Sequence, residues 1–211
     1  MEKSIRTVYA PHESEKVIEK SRFITYSTHA ETEEEARAFI ADVRAKHTLA
    51  SHVCYAFISD KLGNLQRFSD DGEPQGTAGV PILEVLKNKK LFETAVAVVR
   101  YFGGVKLGAG GLVRAYSSSA AENLDGADIR VLQMCAEYEI AVEYTGIDGV
   151  QKFLASRDCA LLSADYGEKV RFLVAVKKAN EKAFVKELVD HMQGKVVCER
   201  GKEYYSAFKE N

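Results

Sequence analysis

Hydrophobic and polar positions recur along this chain in two rhythms, and the switches between them mark out its elements. Ile5, Val8, Val17, Phe23 and Tyr26 alternate loosely on either side of Ala10-Pro11-His12, which predicts two strands meeting at a turn. Thr32 followed by Glu33, Glu34 and Glu35 is a T-x-x-E capping box. Ala36, Phe39, Ile40 and Val43 then recur at helical spacing, and Arg44 and Lys46 close the last turn with the charge that a helix C-terminus favours. Residues 52–59 return to a period of two, with His52, Cys54, Ala56 and Ile58 on one face and Val53, Tyr55 and Phe57 on the other. Both faces are apolar enough to be buried.

A polar loop over residues 69–81 follows, carrying Gly72, Gly76 and Gly79, with Pro81 placed to start a helix through Ile82, Leu83, Val85 and Leu86. Residues 93–102 are a strand-type apolar run interrupted by Arg100 and ended by Gly103-Gly104. Gly108-Ala109-Gly110-Gly111 then opens a helix carried by Leu112, Val113, Tyr116, Ala120 and Leu124 as far as Gly126. A short strand over 129–132 completes an α+β domain assigned to residues 1–134. In residues 135–211 the pattern becomes β-α-β-β-α-β: a half-exposed strand around Glu137, Glu139 and Glu143, a helix near Asp148, strands over 161–164 and 170–176, a helix capped by Asn180 and stopped by Gly194, and a last strand over 195–204. That order is the ferredoxin-like split βαβ unit. The expected architecture is α+β in two domains.

Composition narrows the function classes. The hydrophobic set makes up 46% of residues and charged residues 28%, as in an ordinary folded domain. With 29 basic and 31 acidic residues the net charge is -2, so no global field draws the chain to nucleic acid or membrane, and any basic site must be local. Cys54, Cys135, Cys159 and Cys198 form no C-x-x-C pair and no zinc spacing, so a structural metal is not expected and the thiols read as reduced, in a cytoplasmic protein. The N-terminus has no apolar signal region and residues 94–99 are too short to span a bilayer, so no membrane partner is expected.

Three segments concentrate chemistry: 20–23, 69–81 and 100–114. The glycines at 108, 110 and 111 can aim backbone N–H groups and a helix dipole at a phosphate, with Lys106 and Arg114 adding charge. The stretch is neither a P-loop nor a sound G-x-G-x-x-G, and the same glycines would also serve a tight turn. Asp70, Asp71 and Glu73 place three carboxylates within reach of a divalent cation or acid/base work, although turn capping uses the same residues. Thr77 suits a helix cap or a phosphate. His52 and Cys54 share a strand face, but about 7 Å separates such neighbours, too far for a direct catalytic pair.

Lys20-Ser21-Arg22-Phe23-Ile24, His52-Val53-Cys54-Tyr55-Ala56, the residues 69–81 and the run from Val99-Arg100-Tyr101-Phe102-Gly103-Gly104 to Arg114-Ala115-Tyr116 together closely resemble the IMPACT family, including its bacterial YigZ-like members. The resemblance implies an N-terminal fold like the second domain of a small-subunit ribosomal protein, shared with elongation factor G. It also implies a C-terminal ferredoxin-like unit resembling that factor's last domain. The resemblance implies that eukaryotic members regulate translation by binding a kinase-activating scaffold through a separate N-terminal module, which is not expected in this chain.

The leading expectation is therefore an RNA- or ribosome-associated protein, or one meeting a translation-related protein, with a role in translation or its regulation. Its phosphate contacts are expected from Lys20, Arg22, Arg100, Lys106 and Arg114, which must converge in space, and from the glycine-rich loop. A second reading is an enzyme or sensor that binds a phosphate-bearing small ligand at Gly108 to Gly111, with a divalent cation on Asp70, Asp71 or Glu73; His52 and Thr77 are further candidate ligand-binding residues. No cofactor is required by the first reading, and no residue is assigned a catalytic role. A third reading is a protein-interaction module that uses the C-terminal sheet and its glutamates.

Overall fold

Strands open the chain. β1 (Ile5–Val8), β2 (His12–Ile18) and β3 (Ser21–His29) precede the first helix, α1 (Glu33–Lys46), in the computed structural model, which describes residues 4–209. There are three strands rather than two here, because Glu19 and Lys20 both take left-handed backbone conformations (φ 45° and 65°) and turn the chain back as a tight hairpin. Thr32 Oγ1 accepts the Glu35 N–H at 3.2 Å, as the capping box predicts, and Ala36, Ile40 and Val43 are buried beneath α1.

β4 (His52–Ile58), the short β5 (Gln66–Ser69), α2 (Gly79–Asn88), β6 (Thr94–Tyr101) and α3 (Gly108–Gly126) complete the first unit. Its sheet runs β2-β3-β6-β4-β5, with every neighbouring pair antiparallel. The alternation expected on β4 is present. Cys54, Ala56 and Ile58 pack with Ile82, Leu86, Leu112, Tyr116 and Ala120 of α2 and α3, while Val53 and Phe57 pack in the clusters that hold Val43 and Ile40 of α1. The sheet is thus sandwiched between α1 on one face and α2 with α3 on the other.

The chain divides into two units, Ile5–Val131 and Leu132–Phe208. β7 (Ile129–Val142) is a single strand where the side-chain pattern predicted two with a domain boundary at 134. Backbone pairing carries a strand through a lapse in alternation, and here Cys135 and Ala136 are both buried and both in register with β9. α4 (Ile147–Ala155), β8 (Cys159–Tyr166), β9 (Val170–Lys177), α5 (Glu181–His191) and β10 (Val197–Lys209) follow. These strands belong to a five-stranded sheet in which β1 also pairs with β7, and the order β10-β7-β9-β8 within it is that of a ferredoxin-like sheet. Its core joins Tyr138, Ile140, Phe172 and Val174 to Phe153, Phe184 and Leu188 of the two helices. Asn180 does precede α5, but its side chain makes no capping bond. Among the described residues no helix is long and apolar enough to cross a membrane.

Candidate functional site

The 69–81 loop is built around its own carboxylates. Asp70 Oδ1 accepts from the Ala78 and Gly79 N–H groups at 3.0 and 2.8 Å, and Oδ2 accepts from Gly76 N–H at 2.8 Å. Asp70 is therefore the anion at the N-terminus of α2, where free N–H groups and the helix dipole favour negative charge. Gly79 is required there, since a Cβ would stand 2.8 Å from the Ser69 backbone. Asp71 accepts from the Val53 N–H at 2.6 Å and from Arg44 at 2.7 Å. Thr77 is buried and donates to the Pro74 carbonyl at 2.6 Å, which closes a turn.

Glu73 is the third carboxylate of the sequence cluster, and it points elsewhere. Arg100 Nη1 donates to Glu73 Oε1 at 2.6 Å and the Tyr116 hydroxyl donates to the same oxygen at 2.8 Å, all three side chains buried. Arg100 Nη2 adds a 3.3 Å bond to Ser21 Oγ, and its guanidinium lies 5.5 Å from the ring centroids of Phe23 and Phe102. This network ties the loop to β3, β6 and α3. Breaking such a pair leaves an uncompensated buried charge, which is why it holds the loop in one place. The three carboxylates of the loop are thus each spent on protein donors and do not converge on a common point. The cation expected on Asp70, Asp71 or Glu73 has no shared cradle there.

His52 and Cys54 are not a pair either. His52 Nδ1 meets the Asp71 carbonyl at 2.8 Å, with its Nε2 3.9 Å from Glu73 Oε2, whereas the Cys54 thiol donates to the Asp70 carbonyl at 2.9 Å. Burial pushes the Cys54 thiol up to about 12, so it stays protonated and inert at neutral pH. Burial likewise raises Tyr116, keeping its hydroxyl a donor to Glu73. Tyr116 and Ser21 were not among the expected site residues. A phenol in the middle of an apolar helical stripe is the signal that a buried partner must exist.

The five expected cations do not converge. Arg100 is buried on Glu73. Arg22 is held by Glu15 at 2.6 Å and lies 5.8 Å from the Tyr101 ring, one strand position out of phase with Phe23 and so on the α1 face. Lys20 is exposed and is not among the residues lining the cleft of Lys106 and Arg114; its backbone meets the second turn, where a Cβ on Gly103 would stand 1.9 Å from the Lys20 carbonyl oxygen, so only glycine lets the two turns meet. The remaining two, Lys106 and Arg114, line one cleft of about 930 Å³ together with Lys16, Glu19, Leu107, Gly111, Ser117 and Ser118. Lys16 is held by Glu122 at 2.5 Å. Lys106 and Arg114 are exposed and make no salt bridge among the described residues. Gly108, Ala109 and Gly110 are exposed too, and α3 begins after Leu107 with no side-chain cap and no acidic residue in its first turn. Gly108 and Gly110 lie in the first turn of α3, whose leading N–H groups have no intrahelical acceptor, beside two of the five cations, while Gly111 stands where the regular i→i−4 bonding begins.

In the second unit the glutamates are compensated. Glu139 meets Arg171 at 2.8 Å, Glu143 meets Lys169 at 3.0 Å and Glu137 lies 3.7 Å from Lys202. The sheet face is mixed in charge rather than acidic.

Two domain families match this arrangement. The Impact N-terminal domain matches residues 19–124, which hold the loop, the buried network and most of the cleft lining, and a domain of unknown function (DUF1949) matches residues 140–195 of the ferredoxin-like unit. The chain is 38% identical to IMPACT family member YvyE of Bacillus subtilis over 94% of this chain and 92% of that protein. It is 38% identical to IMPACT family member YigZ of Escherichia coli over 84% and 88% of the two chains. A Thermus thermophilus relative, named as an IMPACT family member in the pol 5' region, is 40% identical over 87% of this chain and 99% of its own. The chain belongs to the IMPACT family. A solved structure described as a hypothetical protein superposes with a TM-score of 0.62 at 35% identity, covering 94% of this chain and 97% of that one.

Proposed function

We propose that the cleft beside the N-terminus of α3 binds phosphates of RNA, and that the protein acts in association with the ribosome, in translation or its regulation. The observation that carries this reading is the pairing state of the charges. Lys106 and Arg114 stand exposed and without carboxylate partners among the described residues, next to the N-terminus of a 19-residue helix, whereas Arg22, Arg44 and Arg100 are neutralised by acidic neighbours. Two cations and a helix N-terminus suit a phosphodiester backbone, which needs point charges and N–H donors and no base-specific pocket. The kinship with domains of elongation factor G that the IMPACT-family resemblance implies points the same way.

The test is co-sedimentation with ribosomes and fluorescence anisotropy with labelled RNA across a salt series. Binding is expected to weaken with salt, and Lys106→Ala and Arg114→Ala should each lower the slope of log K against log salt by about 0.7–0.9. Absence of binding at low salt would overturn the proposal. In that event a rise in melting temperature with a nucleotide or sugar phosphate would assign the same cleft to a small ligand.

A further inference from the structure

At the opposite end of β6 from Arg100, the hydrogen-bonded pair β3 and β6 closes with His29 opposite Thr94 and with the Ala30 N–H donating to the Glu93 carbonyl at 2.8 Å. This closure brings together three side chains from two distant segments. His29 Nε2 is 3.3 Å from Glu31 Oε1 and 4.0 Å from Glu93 Oε2, and the three ligand atoms all lie within 4.8 Å of one another. Glu93 is only 2% exposed, and its Oε2 has no hydrogen-bond partner. A buried carboxylate oxygen without a partner is costly, and a native fold usually supplies something to satisfy it. Here that oxygen faces an imidazole nitrogen and a second carboxylate.

The bonds around the cluster prepare the imidazole as a ligand. The Thr94 hydroxyl is directed to the Phe92 carbonyl at 2.8 Å and the Thr7 hydroxyl to the Glu93 carbonyl at 2.9 Å. With its proton so used, Thr7 Oγ1 accepts from His29 Nδ1, 2.8 Å away, and the lone pair of His29 is left on Nε2, toward the carboxylates. A hydrogen bond on the far ring nitrogen that fixes the tautomer is the usual support of a metal-bound histidine. Ligand atoms about 2.1 Å from a tetrahedral ion lie about 3.4 Å apart, a spacing bracketed by the two distances from His29 Nε2.

We propose that His29, Glu31 and Glu93 form a binding site for a divalent transition-metal ion. One imidazole nitrogen with two carboxylate oxygens suits zinc or manganese better than calcium or magnesium, which prefer oxygen alone. Lys61 offsets part of the negative charge at Glu93 and Asp60 adds to it. The site joins the ends of β3 and β6, with Thr7 of β1 as its support. It lies apart from the phosphate cleft, and no cysteine takes part in it.

Isothermal titration of the full chain, stripped with chelator, with zinc or manganese alone tests the proposal. The expected result is uptake of one ion per chain with a rise in melting temperature, and a shift of the His29 Nε2 resonance in NMR. Glu31 is exposed, so Glu31→Gln keeps the fold and should weaken uptake at least about tenfold. Thr7→Val should weaken it about tenfold through the lost support. Glu93→Gln should abolish it, with circular dichroism checking that the variant folds. No uptake by the wild type, or equal affinity in wild type and Glu31→Gln, would overturn the proposal. Metal bound by the thiols instead would show as uptake unchanged in Glu31→Gln and lost on cysteine alkylation, and would overturn it too.

Discussion

The N-termini of α2 and α3 are both reached through glycine-containing loops, and they meet different partners. At α2 the free N–H groups are taken by Asp70, a residue of the loop itself, and the loop is anchored inward through Glu73, Arg100 and Tyr116. At α3 no side chain caps the helix, and the cations beside it point outward. The same physical device, a helix N-terminus with charge beside it, serves as scaffold in one place and as an open site in the other. What separates them is whether the chain carries its own anion within reach.

The largest effect expected from breaking this comparison comes from the scaffold. Glu73→Gln leaves Arg100 buried without a countercharge, and urea unfolding should show a loss of about 3–5 kcal/mol. Asp70→Ala strips the acceptor from three N–H groups, and the same measurement should show about 1–3 kcal/mol. The buried thiol gives a pH signature of the scaffold. Because Cys54 titrates near 12 when folded, the unfolded chain loses this proton first as pH rises above the ordinary thiol value, near 9. Its contribution to stability is full below that point and is lost as pH climbs toward 12. Cys54→Ala should flatten that part of the stability profile, read by melting temperature against pH. The smallest effect on stability belongs to the open site: Lys106→Ala/Arg114→Ala should alter it by no more than about 0.5 kcal/mol, while weakening the RNA binding proposed for that cleft.

Much of the scaffold was legible in the residue pattern. The alternation of β4, the capping box of α1 and the strand, glycine loop and helix that run from Thr94 to Gly126 each follow from local rules, and the structure contains them. β5 was not legible, because its four residues Gln66–Ser69 are mostly polar and owe their strand to pairing with β4. The break predicted within β7 failed for the same reason, since pairing across the sheet outweighs a lapse in side-chain rhythm. The cationic cluster failed for a different reason. Counting charges along the chain ignores phase, and Arg100 is in phase with Val96 and Val98, which face α2 and α3. A cation in a buried register calls for a buried anion, and Glu73 answers it. The cluster of His29, Glu31 and Glu93 could not be read from spacing, because it exists only once β3 and β6 are in register.

The first unit's sheet also ends in two strands that have a neighbour on one side only, β2 and β5. Such edges invite strands from other molecules, and long apolar ones seed aggregation. β5 is only four residues long and bears Arg67, and β2 presents Glu13, Glu15 and Lys16 among its seven. A newly made copy of this domain therefore offers its neighbours a poor template, and at high concentration its sheet is protected against growing from one molecule into the next.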